Sequence, residues 1–207
     1  MKTLTGCPNK VESGFDNPPK EPLTLLKRWY SAAEAIKVRE PYGFVLSTVN
    51  QECKPSSRVV LLKEITNESI IFGTSKNSRK GLELNQCSFA SGNIWWRETL
   101  QQISFQGMVS LEERKISEKW FAQRNREAQA VAAISSQSER MDDETVLKEE
   151  IEKLVASQKN IACPENWSVY SFKIDEIEFW LGNKNRLHQR LKYYLHDEGW
   201  EYLRLQP

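Results

Sequence analysis

The sequence predicts an α+β fold built around a mainly antiparallel β-barrel with flanking helices, and three observations carry that prediction. Short β-branched and aromatic runs recur between turn-rich breaks, first over residues 42–111 and again from Trp167 onward. Stretches with three- and four-residue apolar spacing interrupt them at 21–38, 113–133 and 142–155. At 207 residues and 24.1 kDa the chain is long enough for one domain with a substantial core and cramped for two. Many strands with helices set to the side then favour a closed barrel.

Residues 1–20, with Gly6, Pro8, Gly14, Pro18 and Pro19 and little apolar periodicity, read as a flexible arm before a single domain at 21–207. In "EPLTLLKRWYSAAEAIKV" (21–38), Leu25 or Leu26, Trp29, Ala33 and Ile36 form the stripe of an amphipathic helix, which Pro41 is expected to end. The runs "YGFVLSTV" (42–49), "SSRVVLLKEI" (56–65) and "SIIFGT" (69–74) are read as antiparallel strands with short connections. "NSRKGLELN" (77–85) has the form of a short helix capped by Asn77 or Ser78. "CSFASGNIWW" and "QQISFQGMVSL" flank turn residues 97–100 as a hairpin. After the helices at 113–133 and 142–155, strands are expected in "WSVYSFKI", "EIEFWLG", "NRLHQRLKYYL" and "WEYLRLQP".

Twenty-nine Lys and Arg against twenty-eight Asp and Glu leave a net charge of +1, so no bulk field points to nucleic acid or to an acidic membrane. Cys7, Cys53, Cys87 and Cys163 are scattered without ligand spacing, which argues against a disulfide scaffold and a metal site. The sequence has no long apolar run and no leader-like start, so a cytoplasmic location is expected.

Against that neutral background, local cation clusters carry meaning. Taken as a strand, "GNKNRLHQR" (182–190) points Arg186, His188 and Arg190 to one side at a spacing of about 6 to 7 Å. Such a row suits either an anion or a charged edge that resists aggregation. Ser78, Arg79 and Lys80 stand where a turn enters a helix, and free N–H groups, the helix dipole, a hydroxyl and two cations there suit a phosphate. Arg58 and Lys63 differ by five residues, so a regular strand separates them onto opposite faces unless it bends or the site lies between subunits. Trp180 is either a flat ligand surface or a core or interface tryptophan, and Gln102 and Gln137 need polar partners in apolar surroundings. No nucleophile elbow, phosphate-binding loop, zinc-protease or dinucleotide fingerprint is present. The pattern is that of a site for an anionic, aromatic small molecule.

"IEFWLGNKNRLHQR" (177–190), "SRVVLLK", "SRKG", "QQISFQG" and "SSQS" stand in the order in which similar segments occur in the pyridoxine/pyridoxamine 5′-phosphate oxidase family, and residues 18–207 resemble that family. The resemblance implies an FMN-binding split barrel, a homodimer with its site at the subunit interface, and dioxygen as electron acceptor. It implies that Arg58, Thr74, Ser78, Arg79 and Lys80 hold the FMN phosphate, and that Gln102, Gln137, Ser138, Trp180 and Arg190 contact the flavin. Lys63, Trp120, Arg124, Arg186 and His188 would then face the substrate, with His188 the candidate acid or base.

The departures redirect the expected substrate. The vitamin-making enzymes clasp a substrate phosphate with Tyr, Arg and Ser at four-residue spacing, where this chain has Trp120, Arg124 and Ala128. Losing two hydroxyl contacts to a charged phosphate, at about 1.5–3 kcal/mol each, weakens binding by roughly a hundredfold to more than ten-thousandfold. Gly73, Leu181 and Gln189 also replace the usual Tyr, Gln and Asp. "PPKEPLTLLKRW", "KVREP", "WRETLQQI", "KWF" and the terminal "LQP" look closer to the flavin oxidases of phenazine biosynthesis, although Lys63 keeps the vitamin-enzyme residue. The resemblance thus implies oxidation of a reduced phenazine carboxylic acid, with hydride transfer to flavin N5 and hydrogen peroxide as by-product. Pyridoxal 5′-phosphate synthesis is the second reading, and a flavin-binding protein without catalysis is the third.

Overall fold

The computed structural model describes residues 11–157 and 159–207, so Cys7 and the first half of the expected arm lie outside the described residues. The described part of that segment carries Phe15, which is buried and stacks on Trp29 at 5.8 Å, while Trp29 Nε1 donates to the Ser13 carbonyl. Helix α1 (Pro22–Ala35) starts with a proline in its first turn, where a missing N–H costs nothing, and buries Leu25, Leu26, Trp29 and Ala33. It ends well before Pro41. Lys37 takes φ 57° and the Val38 N–H closes on the Ala33 carbonyl at 2.9 Å, a left-handed turn that satisfies the last carbonyls.

Six strands close the barrel: β1 (Gly43–Val49), β2 (Pro55–Ile65), β3 (Ser69–Ser75), β4 (Phe89–Trp96), β5 (Gln101–Leu111) and β6 (Trp167–Leu181). Their order is β3-β2-β1-β4-β5-β6, every pairing is antiparallel, and β6 returns to β3 from Ser69↔Lys173 to Ser75↔Trp167. Strands β7 (Gln189–His196) and β8 (Gly199–Leu205) extend the sheet past β6. The runs expected as two strands after Trp167 are therefore one strand of 15 residues, whose first half closes the barrel and whose second half carries β7. A bulge divides the halves: Gln106 faces Glu176 and Gly107 faces Ile174, leaving Asp175 unpaired. Gly107 sits at φ 153°, and a Cβ there would come within 2.1 Å of the Lys173 carbonyl.

Alternation along each strand sends Phe44, Phe72, Phe105 and Phe172 into the barrel, where neighbouring rings meet at 5.2–5.9 Å. Helix α2 (Arg79–Gln86) follows β3. The stretch expected as one helix over 113–133 is two, α3 (Arg114–Ala122) and α4 (Arg126–Ile134), because Asn125 Oδ1 accepts from the Ala128 N–H at 2.8 Å and caps a new helix. With α5 (Glu144–Ala156) they cover a second apolar cluster containing Ile71, Phe121, Ala130 and Trp167. No helix among the described residues is long and apolar enough to cross a membrane.

Candidate active site

A cleft of about 560 Å³ opens between β2, β3, the start of α2 and the α3–α4 corner, and it brings together Arg58, Lys63, Thr74, Arg79, Lys80 and Arg124, with Gln137 and Ser138 at its rim. The turn into α2 builds its floor. Ser78 caps the helix, its buried Oγ accepting from the Gly81 N–H at 3.3 Å and donating to the Ser75 carbonyl at 2.7 Å. Lys80 Nζ is drawn down to Thr74 Oγ1 and Ser78 Oγ, both at 3.1 Å, and is itself buried. Burial first and the Arg58 charge second push its ammonium down to about 8, against the pull of Glu83. Thr74 Oγ1 also donates to Gln137 Oε1 at 3.3 Å, and the Arg79 N–H donates to Ser138 Oγ at 3.2 Å, which ties the 135–138 turn to the cleft. Gln137 is exposed, contrary to the apolar setting its sequence neighbours suggest.

Arg58 and Lys63 line the same cleft because β2 bends between them: the register jumps from Leu62↔Phe72 to Glu64↔Ile71 and leaves Lys63 as the extra residue of a bulge. Periodicity alone hides this, since alternation assumes an unbroken ladder. Sequence reasoning also missed Glu83, a buried carboxylate on α2 that holds Arg58 and Arg79 together. Its spacing of four residues from Arg79 was the available signal.

At the α3–α4 corner, Arg124 does not reach freely into the cleft. Its guanidinium lies 5.2 Å over the Trp167 ring and donates through Nη2 to the Ala128 carbonyl at 3.0 Å, while its buried Nε has no partner. Burial lowers its affinity for a proton. Gly73 leaves room for this stack, since a Cβ there would lie 2.8 Å from Trp167 Cζ2. Lys63 Nζ stands 5.7 Å over Trp120, and burial and then Arg124 lower its pKa. Trp167 is a second residue that the sequence did not single out as part of the site.

The remaining candidates form a separate cluster. The strand expected over "NRLHQRLKYYL" begins only at Gln189, so Arg186 and His188 lie in the connection from β6 and do not share a strand face with Arg190. The reason is pairing: the β6–β7 ladder ends at Leu181↔Gln189, and Arg186 takes φ 67° in the turn. His188 Nδ1 accepts from the Asn183 N–H at 3.0 Å, and its ring sits 4.6 Å from Trp180. Arg190 is clamped by Glu178, Nε to Oε1 at 2.7 Å and Nη2 to Oε2 at 2.9 Å, which raises its pKa. Gln102, Trp180 and Arg190 are consecutive cross-strand neighbours on β5, β6 and β7, but none of them, nor Arg186 or His188, lines the cleft.

The donor set of the cleft fits a phosphate monoester. Arg58, Arg79 and Lys80 surround a helix start with Glu83 as their one carboxylate, leaving two positive charges for a group that carries about −1.5 to −2 at pH 7.

Residues 32–157 match the family model described as pyridoxamine 5′-phosphate oxidase, and residues 167–207 match the pyridoxine 5′-phosphate oxidase C-terminal dimerisation region. A dihydrophenazinedicarboxylate synthase of Burkholderia lata is 37% identical, the alignment covering 100% of this chain and 98% of that protein. A pyridoxine/pyridoxamine 5′-phosphate oxidase of Legionella pneumophila is 34% identical over 96% of this chain and 93% of its own length. The crystal structure of PhzG from Burkholderia lata in complex with tetrahydrophenazine-1-carboxylic acid superposes with a TM-score of 0.94 at 35% identity, covering 98% of this chain and 100% of that one. With family models spanning the barrel and its extension, the chain belongs to the pyridoxamine 5′-phosphate oxidase family of oxidoreductases.

Proposed function

We propose that this protein is an FMN-dependent oxidase that aromatises a reduced phenazine carboxylic acid. Overall identity does not separate that reading from vitamin synthesis, because relatives of both kinds lie within a few per cent of each other. The observation that carries it is the α3–α4 corner. Trp120 and Ala128 offer no hydroxyl, and Arg124 is stacked on Trp167 with one donor committed to the Ala128 carbonyl, which makes a poor clasp for a substrate phosphate and a flat, cationic wall for an aromatic acid.

In this reading Arg58, Ser78, Arg79, Lys80 and Thr74 hold the FMN phosphate, and Gln102, Gln137, Ser138, Trp180 and Arg190 contact the flavin. Gln137 and Ser138 stand at the cleft beside the first group, whereas Gln102, Trp180 and Arg190 lie apart from it in one chain, with the outward faces of β1, β2 and β4 exposing Val45, Val59, Leu61 and Trp95. A second copy laid on that face completes the site, in keeping with the dimerisation-region match. FMN held there would supply a two-electron acceptor for a hydride from a ring C–H, with dioxygen as the terminal acceptor, reduced to hydrogen peroxide. The chain's own side chains bind and orient. Arg186, which is exposed and has no carboxylate partner among the described residues, and His188 receive a substrate carboxylate, with Lys63 opposite. Because His188 Nδ1 already accepts from the backbone, Nε2 carries the proton of the neutral ring and donates, so the residue positions the substrate and does not abstract a proton from it.

The test is a pair of substitutions assayed with a reduced phenazine carboxylate. Arg58→Ala is expected to purify without flavin, and Arg186→Ala to keep its flavin while losing at least about tenfold in kcat/KM. Equal flavin loss in both variants contradicts the division of labour, and full turnover by Arg186→Ala contradicts the substrate site.

A further inference from the structure

We propose that Glu83 is a positioning residue for the flavin phosphate: a buried carboxylate that fixes Arg58 and Arg79 in phosphate-binding geometry and sets the net charge of the cradle. The proposal rests on assigning the cleft to FMN. A carboxylate beside an anion site is at first sight counterproductive, because its charge repels the ligand. Its surroundings argue that it is built in. Glu83 is 4% exposed. Oε1 accepts from Arg79 Nε at 2.9 Å. Oε2 accepts from Thr48 Oγ1 at 2.5 Å, Ser56 Oγ at 2.7 Å and Arg58 Nη2 at 3.2 Å.

The two hydroxyls relay the grip. Thr48 Oγ1 accepts from Arg58 Nη1 at 2.6 Å and Ser56 Oγ accepts from Arg58 Nη2 at 2.5 Å, so each hydroxyl donates to Glu83 while holding the arginine. Arg58 thereby commits its terminal nitrogens and keeps Nε–H, whereas Arg79 commits Nε and keeps both terminal nitrogens for the cleft. Arg58 does not have to lose rotamer freedom when an anion arrives, because the network has already fixed it, and Arg79 loses less for being held through Nε. Three cations crowded around a helix start would also repel one another, and one carboxylate reduces their sum to about +2, which balances a phosphate dianion. Burial alone would push the Glu83 carboxyl up, but the bonds from Thr48, Ser56, Arg79 and Arg58 outweigh it and hold it at about 2, so it is ionised at neutral pH.

The experiment compares FMN with riboflavin, which shares the ring system and lacks the phosphate. Dissociation constants of both are measured by flavin fluorescence quenching on full-length apoprotein, for the wild type, Glu83→Gln and Ser56→Ala. Wild type is expected to prefer FMN. Glu83→Gln is expected to cut that preference by about tenfold or more, through FMN alone, and Ser56→Ala, a milder change that removes one relay hydroxyl, to cut it about threefold. Unchanged or tighter FMN binding in Glu83→Gln would mean that the carboxylate only repels, and equal weakening of FMN and riboflavin would mean that it only holds the fold; either overturns the proposal. Should Glu83→Gln not fold, an unaltered preference in Ser56→Ala overturns it. A wild type that holds riboflavin as tightly as FMN overturns instead the assignment of the cleft to the flavin phosphate, and the proposal with it.

Discussion

Gly73 shows how much one missing side chain can decide. Its bare Cα lets Trp167 lie close, and Trp167 in turn carries the Arg124 guanidinium 5.2 Å above its ring. Gly73→Ala places a methyl 2.8 Å from Trp167 Cζ2, so the indole must move. The expected outcome is about 1–3 kcal/mol of lost stability in denaturant unfolding and a raised substrate KM, with FMN affinity kept. Lys80 makes a second prediction, in pH. In the proposed reading the phosphate dianion pairs with the protonated ammonium, whose pKa burial and Arg58 bring down to about 8 in the free protein. FMN affinity should therefore hold below that pH and fall as pH rises through it; Lys80→Met should bind more weakly with that alkaline fall removed. The cationic helix start was legible because Ser78, Arg79 and Lys80 are contiguous, and a cap at a helix start is a local event. The four-residue spacing of Glu83 from Arg79 marked only that pair, whereas its ties to Thr48, Ser56 and Arg58, and the packing of Trp167 against Phe121 and Arg124, are contacts between distant segments that no local pattern encodes.

At the level of elements, α2 is fastened to β1 and β2 by Glu83 through Thr48, Ser56 and Arg58. The depressed carboxyl makes this a pH-dependent clamp: its contribution is complete above the unfolded value near 4.5 and is lost as pH falls toward about 2. The difference corresponds to on the order of 3 kcal/mol, and urea unfolding of the wild type should lose that much more stability between pH 5 and pH 2 than Glu83→Gln. Periodicity showed where strands and helices run, but not all of their limits. The β2 bulge at Lys63, the Asn125 break between α3 and α4, and the delayed start of β7 each depend on where a partner strand or a new cap stands. The last of these moved Arg186 and His188 off the strand face on which alternation had put them.

One chain keeps the cleft and the Trp180 cluster apart, and in the proposed reading a second copy joins them. The cleft lies on β2, β3 and α2, the Trp180 cluster on β5, β6 and β7, and β6 serves both sides of the architecture by closing the barrel and then carrying β7. Closure of β6 onto β3 was foreseen only as a barrel, since the sequence contains no mark of which strands meet. In the proposed reading this frame acts on a reduced phenazine carboxylate, because the α3–α4 corner presents Trp120 and Ala128 in place of hydroxyls. Oxygen consumption by the FMN-loaded protein, with a reduced phenazine carboxylate and with pyridoxine 5′-phosphate as alternative substrates, tests it most directly. The expected kcat/KM is at least about a hundredfold higher for the phenazine acid; efficient turnover of pyridoxine 5′-phosphate with none of the phenazine acid would rule that substrate out.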